Sequence, residues 1–481
     1  MAGHDISGCF LYIKLSSCFS IPCILILVVK PPYIRQNDKQ YYFPFSFLPV
    51  FSHSRFVAFV AFVAFVVSLV SLVSLVPSYT RAVVLSCCQH VVMSCYIPLT
   101  RKPDLFILSF TSIQGETCVR KIPFYLLLTA AFFMIDCSNF IQADNPKIQY
   151  FGRFDFSDPG SPAFDWPGVY IRAKFEGTSC KAVLSGKNRY DAFVDGKLIT
   201  TLTVSSKIDT LEIVSGLEDR EHDLLITKRS ESNFEVSKFY GFILDNGKRL
   251  LEPPAPPERK IEFIGDSHSA GYGNEFTSRE APSEQHDSVY FTSTNTFLAY
   301  GSLTARAFGA QYQVNAYSGR GLVRNYANQM PGKELLYYYD KVLISPMNLT
   351  GESPSWDFNS WIPHVVVINI GINDFQDPPP FSDSSLYVSK YHSLISTLRS
   401  RYPSVKIICL ATSVWPTNLM TVLVKDIVNR EKESGHNDIW YMEYSSSNTA
   451  LDWHPSLEDH RGIAEKLVEV VREATGWDVV R

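Results

Sequence analysis

The sequence is poor in cysteine after its first third. Eight of the ten cysteines, Cys9 through Cys137, precede Asp144, and only Cys180 and Cys409 follow it. Since those two fall in different predicted domains, we expect no disulfide framework in the rest of the chain. The apolar runs between the earlier cysteines lack the turn residues that a disulfide-rich domain would show, so such a domain is not expected there either.

The chain also carries little net charge. Its 44 lysines and arginines nearly balance 48 aspartates and glutamates, which leaves a formal charge of -4. Without a basic excess there is no reason to expect a nucleic acid or an anionic membrane surface as partner. Asp266, His268 and His286 are near one another in the sequence, but their spacing matches no tight metal-ligand motif. We therefore expect neither a metal nor a cofactor.

The first 118 residues do not show the pattern of a folded domain. Phe56 to Val76 is a short repeat of Val-Ala-Phe followed by Ser-Leu-Val. The run is long enough to cross a bilayer, which gives a membrane span as one interpretation. Because it has no helical face and no domain around it, low-complexity sequence or a wrongly assigned upstream extension is the favoured one.

Residues 119–143 have the organisation of a secretory signal peptide. A basic start at Arg120 and Lys121 is followed by an apolar middle and a small residue, Ala143, at the end. We expect cleavage after Ala143 and a secreted, extracellular protein that begins near Asp144. An uncleaved signal anchor, which would attach the protein to a membrane, is the alternative.

Between residues 144 and 252 the sequence reads as short strands separated by turn residues. Asp195-Gly196, between two apolar segments, is a strong hairpin signal. The predicted strands are Tyr150–Phe156, Gly168–Phe175, Cys180–Ser185, Asp191–Val194, Lys197–Val204, Asp209–Val214, Asp223–Lys228 and Phe239–Leu244. Eight short strands in so small a region predict a β-sandwich of the jelly-roll type.

A proline-rich linker, residues 253–258, should hold the next domain in a fixed relation, since adjacent prolines favour stiff, extended backbone. From residue 259 to 481 apolar runs alternate with helical patterns. This alternation predicts a three-layer α/β/α domain around a parallel five-stranded sheet. The strands are expected near Ile261, Tyr312, Val365, Ile407 and Trp440, and the helices at Asn295–Phe308, Leu386–Arg401, Leu419–Glu433 and Ser456–Thr475.

Four short motifs lie where these predicted segments end. Ser267 follows the first strand in Gly-Asp-Ser, Gly319 follows the second in Ser-Gly-Arg-Gly, and Asn373 follows the third in Gly-Ile-Asn-Asp. His454, in Asp-Trp-His-Pro, precedes the last helix. Because the carboxyl ends of parallel strands meet at one edge of a sheet, where such sheets bind ligands, we expect these residues to share a crevice.

Together the four motifs resemble the blocks of the SGNH hydrolases, also called GDSL-like esterases, over residues 259–481. The residues that precede these motifs point to one family within this group. With Trp166-Pro-Gly, a Val194-Asp-Gly hairpin and a following Lys-Ile-Glu-Phe-Ile-Gly-Asp-Ser, the chain from about Ile148 onward is similar to carbohydrate esterase family two. That family contains acetyl xylan esterases and related sugar O-deacetylases, so the resemblance implies the same class of reaction here.

The residue types fit ester hydrolysis. A serine hydroxyl becomes a good nucleophile when a neutral imidazole takes its proton, and we assign these roles to Ser267 and His454. Attack on an ester carbonyl places negative charge on oxygen, which needs hydrogen-bond donors already aimed at it. The backbone N–H groups of Ser267 and Gly319 and the side-chain amide of Asn373 are the expected donors.

The third member of a catalytic triad is less clear from the sequence. SGNH enzymes commonly place an aspartate three residues before the histidine, and that position is Leu451 here. The nearest carboxylate is Asp452, only two residues away. A triad with Asp452 remains open, and so does a serine-histidine dyad whose ring is oriented by a backbone carbonyl, which the resemblance to family two implies can suffice.

We expect a secreted serine esterase that removes O-acetyl groups from plant cell-wall polysaccharide through an acyl-enzyme. Its partner would be an acetylated polysaccharide or oligosaccharide. Trp415 and Trp453 are expected either to stack on a sugar ring or to be buried. The alternatives are an SGNH esterase or lipase acting on other small acyl esters, and a catalytically silent carbohydrate-binding protein.

Overall fold

The computed structural model describes residues 139–231, 235–344 and 353–480, together with the backbone of six short strands before residue 124. The chain divides into two compact units, Met1–Cys137 and Ser138–Arg481. The apolar repeat at residues 56–76 lies outside the described residues, as does most of the apolar middle of the signal-like segment. In the part of the chain that is described, none of the helices is both long and apolar enough to cross a bilayer.

The first unit contains one six-stranded sheet in the order β2-β1-β3-β4-β5-β6. Its strands are β1 Leu11–Lys14, β2 Ile26–Val29, β3 Arg81–Ser86, β4 Val91–Ile97, β5 Leu105–Ser112 and β6 Thr117–Pro123. The sequence predicts no folded domain in this segment. The strands of this segment are paired through their backbones, but the side chains that would form a core are not described. The expectation therefore stays a prediction.

The second unit begins with two antiparallel sheets that face each other. One has the order β13-β12-β15-β10-β17, with β8 also on β10, and the other β14-β11-β16-β7, with β9 also on β16. The strands are β7 Phe140–Gln142, β8 Gln149–Phe151, β9 Ala163–Phe164, β10 Tyr170–Gly177, β11 Cys180–Ser185, β12 Asn188–Val194, β13 Lys197–Val204, β14 Asp209–Val214, β15 Arg220–Lys228, β16 Ser237–Leu244 and β17 Leu250–Leu251.

This β-sandwich confirms the predicted jelly-roll domain. Each of the eight predicted strands overlaps an observed one, because one face of each strand is apolar and packs into the space between the sheets. The hairpin between β12 and β13 turns at Asp195 and Gly196, whose φ angles are 51° and 76°. Two consecutive positive φ angles are what a two-residue type I′ turn requires, which is why Asp-Gly predicts it well.

The sequence does not predict strand β7, and its position bears on the expected cleavage after Ala143. Phe140–Gln142 pairs with β16, and the N–H of Ala143 donates to the Tyr240 carbonyl at 2.9 Å. Gly241 is needed for this pairing, since a Cβ there would lie 2.0 Å from the Ile141 carbonyl oxygen. Cleavage after Ala143 would therefore remove an integral strand of the sandwich.

A protein that begins at Asp144 is expected to be about 2–4 kcal/mol less stable than one that begins at Ser138. It loses the β7–β16 hydrogen bonds and leaves the β16 edge exposed, and each such bond contributes about 1 kcal/mol. Urea unfolding of the two proteins measures the difference. Equal unfolding midpoints would show that β7 does not contribute to the fold.

The α/β domain has five parallel strands in the order β19-β18-β20-β21-β22. They are β18 Lys260–Gly265, β19 Gln311–Ala316, β20 Val365–Asn369, β21 Lys406–Thr412 and β22 Ile439–Tyr444. The helices are α1 Ser267–Ala270, α2 His286–Ser293, α3 Tyr300–Ala307, α4 Leu335–Tyr339, α5 Ile372–Phe375, α6 Ser384–Arg401, α7 Leu419–Glu433 and α8 Leu457–Thr475.

Helices cover both faces of this sheet, as the three-layer prediction requires. Residues of α6 and α7 pack with one set of strand side chains, and residues of α3 and α8 pack with the other. The central strand β20 is buried along its whole length because it has helices on both sides. The chain passes from β18 to β19 on one side and to β20 on the other, so a crevice opens at the carboxyl end of β18.

The jelly roll and the α/β domain share one core. Phe151 and Tyr170 of the jelly roll stack on each other and pack with Ile261 of the parallel sheet. The buried guanidinium of Arg153 lies 3.6 Å from the carboxylate of Glu262 on β18. The contacts of this shared core, together with the linker, hold the two domains in a fixed relation.

Candidate active site

The end of β18 and the start of α1 place Ser267 at the crevice. Gly265 must be glycine because a Cβ there would lie 2.8 Å from the backbone carbonyl oxygen of Asn369, as well as 2.1 Å from Ser269 Oγ. Asp266 caps α1, with its side chain accepting the N–H of His268 at 3.1 Å. Ser267 is the first residue of the helix, and the residue is 6% exposed. A sharp turn from strand to helix thus holds the hydroxyl at the sheet edge.

Ser267 and His454 meet, although 187 residues separate them. The Oγ of Ser267 lies 2.8 Å from Nε2 of His454. The other ring nitrogen, Nδ1, lies 2.9 Å from the backbone carbonyl oxygen of Leu451. Because a carbonyl only accepts hydrogen bonds, the proton must be on Nδ1, which leaves Nε2 as the acceptor for the serine hydroxyl. This is the arrangement of a nucleophile and its base.

Asp452 does not take the place of a third member against the ring. Its carboxylate oxygen Oδ2 accepts hydrogen bonds from the Tyr272 hydroxyl and from Nε2 of His286, both at 2.7 Å. The backbone at Asp452 is left-handed, with φ 49°, and its carboxylate is bound to those two side chains instead. Of the two arrangements left open by the sequence, the hydrogen bonds of the ring match the dyad, with the Leu451 carbonyl as the partner of Nδ1.

Replacing Asp452 with asparagine is expected to lower kcat by less than about tenfold. In triads where the aspartate bonds to Nδ1, the same change costs about 10⁴-fold because the ring takes the wrong tautomer. Here the Leu451 carbonyl keeps the tautomer. Steady-state hydrolysis of an aryl acetate distinguishes the two cases, and a loss of a thousandfold or more would restore Asp452 as a triad member.

The imidazole of His454 is packed between two rings. Tyr272 stacks on it with centroids 4.3 Å apart and planes inclined by 30°, and His268 meets it edge-on at 5.5 Å. Tyr272 is a residue of the site that was not predicted from the sequence. One feature of the sequence could have indicated it: Tyr272 lies between Gly271 and Gly273, in a tight turn where it is the one large side chain available to contact a neighbour.

Three donors are available for an oxyanion near Ser267. Among the described residues, neither the N–H of Ser267 nor that of Gly319 has a hydrogen-bond acceptor. The amide nitrogen Nδ2 of Asn373 lies 2.8 Å from the Arg320 carbonyl oxygen and 3.4 Å from Asp266 Oδ2. The longer of these contacts is weak, so the N–H that makes it is the one available to a developing oxyanion.

A buried carboxylate ties the Asn373 segment to the Gly319 loop. Asp374 accepts the backbone N–H groups of Leu322, Val323 and Arg324 at 2.8, 2.8 and 3.0 Å. Asn373 is also held at its other end, where its Oδ1 accepts from Gln376 at 2.8 Å. These contacts fix two of the donors relative to each other before any substrate binds, which is what electrostatic preorganisation requires.

Burial sets the protonation states beside the nucleophile. It lowers the pKa of His454, and the Leu451 carbonyl and the charge of Asp452 only partly oppose this, so the ring is neutral at pH 7. Burial raises the pKa of Asp266 to about 8, so this carboxyl is mostly protonated at neutral pH. The site then has a free base and no full negative charge next to the position of the oxyanion.

The pH dependence of kcat/KM is therefore expected to be bell-shaped. On the acid side, activity falls only as His454 becomes protonated, which occurs below the usual histidine pKa of about 6.5. On the basic side, it falls as pH rises through about 8, because ionised Asp266 opposes the oxyanion. Asp266→Asn keeps the helix cap and should lose the basic limb. A basic limb unchanged in that variant would assign it to another group.

Two exposed tryptophans border this edge of the sheet. Trp453 precedes the histidine and is 58% exposed, and Trp415 follows β21 and is 75% exposed. The sequence left burial open for both, and the structure excludes it.

In the described residues no three His, Cys, Asp or Glu side chains are placed to hold a metal ion.

Comparison with known proteins gives two family matches. Residues 150–254 match the carbohydrate esterase 2 N-terminal family, and residues 263–438 match the GDSL-like lipase/acylhydrolase family. An acetylxylan esterase/glucomannan deacetylase of Cellvibrio japonicus is 31% identical over 332 residues, 66% of this chain and 88% of that protein. The chain belongs to carbohydrate esterase family 2.

Other members of the family support this assignment. The cellulase/esterase CelE of Acetivibrio thermocellus is 37% identical over 343 residues, which are 69% of this chain. The chain spans only 40% of the length of CelE. A family two carbohydrate esterase from Clostridium thermocellum, solved in complex with cellohexaose, is 36% identical with a TM-score of 0.62 and covers 69% of this chain and 99% of its own. The expected fold, a jelly roll ahead of an SGNH-type α/β/α domain, is confirmed.

Proposed function

We propose that this member of carbohydrate esterase family 2 is a serine esterase that removes O-acetyl groups from plant cell-wall polysaccharide. The observation that carries the proposal is the 2.8 Å contact between Ser267 Oγ and His454 Nε2, with Nδ1 engaged by the Leu451 carbonyl. The names of the relatives support the substrate class, because two of the family members from Cellvibrio japonicus are called acetylxylan esterase/glucomannan deacetylase.

We propose that each step of the reaction uses a residue of this site. Ser267 attacks the acetyl carbonyl while Nε2 of His454 takes its proton, and the oxyanion is met by the N–H groups of Ser267 and Gly319 and the amide of Asn373. The imidazolium then returns the proton to the departing sugar oxygen. Water, deprotonated by the same ring, hydrolyses the acetyl-serine and releases acetate. Asp452 acts in no step; its charge only favours the imidazolium.

The surroundings of the dyad support a polymeric carbohydrate rather than a lipid. Trp453 directly precedes His454 and Trp415 follows the carboxyl end of β21; both present large exposed aromatic faces, and sugar rings stack on such faces. The complex of a relative with cellohexaose points to a chain of β-linked sugars as the ligand. We propose that the polysaccharide chain lies across these tryptophans with one acetyl group directed to Ser267.

The test is the release of acetate from acetylated xylan and acetylated glucomannan, compared with hydrolysis of aryl acetate, butyrate and octanoate. A deacetylase releases acetate from the polymers and prefers the acetyl ester among the aryl esters. An enzyme that prefers longer chains would instead be a lipase-like esterase. Binding of the polysaccharides without any ester hydrolysis would indicate a catalytically silent binding protein.

We also propose that the protein is exported, with its signal peptide removed upstream of Asn139 rather than after Ala143. Strand β7 supports this position, because the sandwich needs residues 140–142. N-terminal sequencing of the protein recovered outside the cell should give a start before Phe140. A start at Asp144 would contradict the proposed position, and recovery only in the membrane fraction would indicate an uncleaved anchor.

A further inference from the structure

The turn that carries His454 is strained. Asp452 and Trp453, the two residues before the histidine, have φ angles of 49° and 62°. Residues with a Cβ rarely adopt this left-handed backbone, and they keep it only where the surrounding structure over-determines it. The carbonyl of Leu451, the ring's partner, lies at the start of the same turn. The orientation of the imidazole therefore depends on whatever holds this turn.

One residue of a distant loop, Arg279, contacts it through both its side chain and its backbone. Arg279 donates from Nε to the Asn448 carbonyl at 2.8 Å and from Nη2 to the Ser447 carbonyl at 3.1 Å. Its own carbonyl oxygen accepts the N–H of Asp452 at 2.8 Å. Its guanidinium carbon lies 3.9 Å from the centroid of the Trp453 ring. Arg279 thus contacts the approach to the turn, the turn itself and the exposed tryptophan.

The rest of the loop is attached to the turn at a separate point. His286, at the start of α2, and Tyr272, after α1, both bond to the Asp452 carboxylate. These contacts hold the turn through the Asp452 side chain, and Tyr272 also stacks on the His454 ring. Arg279 lies between them in the sequence, outside any helix or strand, and supplies the contact with the tryptophan side.

We infer that Arg279 is a positioning residue for both parts of the site. It holds Trp453 flat beside the dyad as a platform for a sugar ring, and it keeps the strained turn in the form that aligns His454 with Ser267. The guanidinium is suited to this task because its planar fork reaches two carbonyl groups while its face stacks on the indole. The sugar-binding half of this inference rests on the proposed function, and the alignment half does not.

Two substitutions separate the two effects. Arg279→Met keeps the aliphatic stem and removes the guanidinium, so we expect about a tenfold fall in kcat on an aryl acetate and about a tenfold rise in KM on an acetylated oligosaccharide. Arg279→Lys keeps a cation for the indole but loses the fork, so it should restore most of the KM and little of the kcat. A residue that acted only on folding would not divide the two parameters in this way.

The matched control is Arg430→Met, on helix α7. Arg430 is also an arginine in an ion pair, but it is exposed and its partner, Asp426, is on the same helix. Its kinetic parameters should stay within twofold of those of the unaltered protein. Urea unfolding of each variant gives its folded fraction, and kcat is divided by that fraction. If Arg279→Met does not fold, the kcat and KM of Arg279→Lys test the inference instead.

A double substitution tests the contact with the indole directly. Trp453→Ala should raise the oligosaccharide KM by itself. In the double variant with Arg279→Met, the total rise in KM should be much smaller than the product of the two single rises, because both substitutions remove the same contact. The inference is overturned if Arg279→Met leaves both kcat and KM within twofold of the original values. If the unaltered protein hydrolyses aryl acetate but not the polysaccharides, the proposed function fails, and the kcat on aryl acetate still decides the alignment half.

Discussion

Replacing Ser267 with alanine is expected to lower kcat by roughly 10⁴–10⁶-fold, both on acetylated polysaccharide and on aryl acetate. The hydroxyl oxygen is the atom that forms the acyl bond, and its 2.8 Å contact with His454 is what makes it nucleophilic. Alanine removes only one atom beyond Cβ, so the loss should appear without any loss of fold. Acetate release at saturating substrate measures it.

Binding distinguishes this result from general damage to the site. Ser267→Ala should bind cellohexaose or deacetylated xylan as well as the unaltered protein, because the aromatic faces of Trp415 and Trp453 are untouched. Ser269→Ala is a matched control from the same short helix, since its hydroxyl bonds to the Tyr300 hydroxyl at 2.6 Å and not to the dyad. Residual activity above about one per cent in Ser267→Ala would argue against an acyl-serine, given the losses seen when nucleophiles are removed.

Asn373→Ala is expected to lower kcat by about 10²–10³-fold, with little change in KM. The expectation follows from the time at which the amide acts. The oxyanion exists only after attack, so a donor aimed at it stabilises the transition state and not the bound ester. The fold-change corresponds to about 3–4 kcal/mol, which is usual for one donor in such a site.

A second substitution at Asn373 tests whether kcat depends on a hydrogen-bond donor at this position. Asn373→Asp keeps the shape of the side chain but replaces the N–H donor with an acceptor, so its kcat should fall further than that of the alanine variant. The hydrogen bond from Gln376 to Oδ1 is preserved in this variant, which keeps the side chain in place. If Asn373→Ala changed KM and not kcat, the amide would contact the substrate rather than the oxyanion.

Much of this architecture could be predicted from residue patterns because the patterns are local. Strand β20 is a continuous apolar run, and helix α7 has the bounds that its sequence predicts, Leu419–Glu433. The Asp195-Gly196 turn depends on two backbone angles that only a few residue types adopt easily. Strand β7 was missed for the opposite reason, since Phe140–Gln142 is only three residues long and becomes a strand through its pairing with β16.

The site itself divides in the same way. Ser267, Gly319 and Asn373 follow strands of one parallel sheet, and the topology alone brings such positions to one edge. The partner of the histidine ring could not be predicted, because the choice between Asp452 and the Leu451 carbonyl depends on two left-handed residues in a turn. Tyr272 and Arg279 come from loops whose course depends on contacts made far from them in the chain.

The amino-acid pattern by itself was thus sufficient for the two domain types, the order of the elements and the residues at the strand ends, since these follow from periodicity and from the rules of parallel sheets. The orientation of the imidazole, the role of Asp452 and the exposure of the two tryptophans were decided only by the folded chain. They depend on how loops 180 residues apart meet, as in the bond between Tyr272 and Asp452, and no local pattern encodes such a contact.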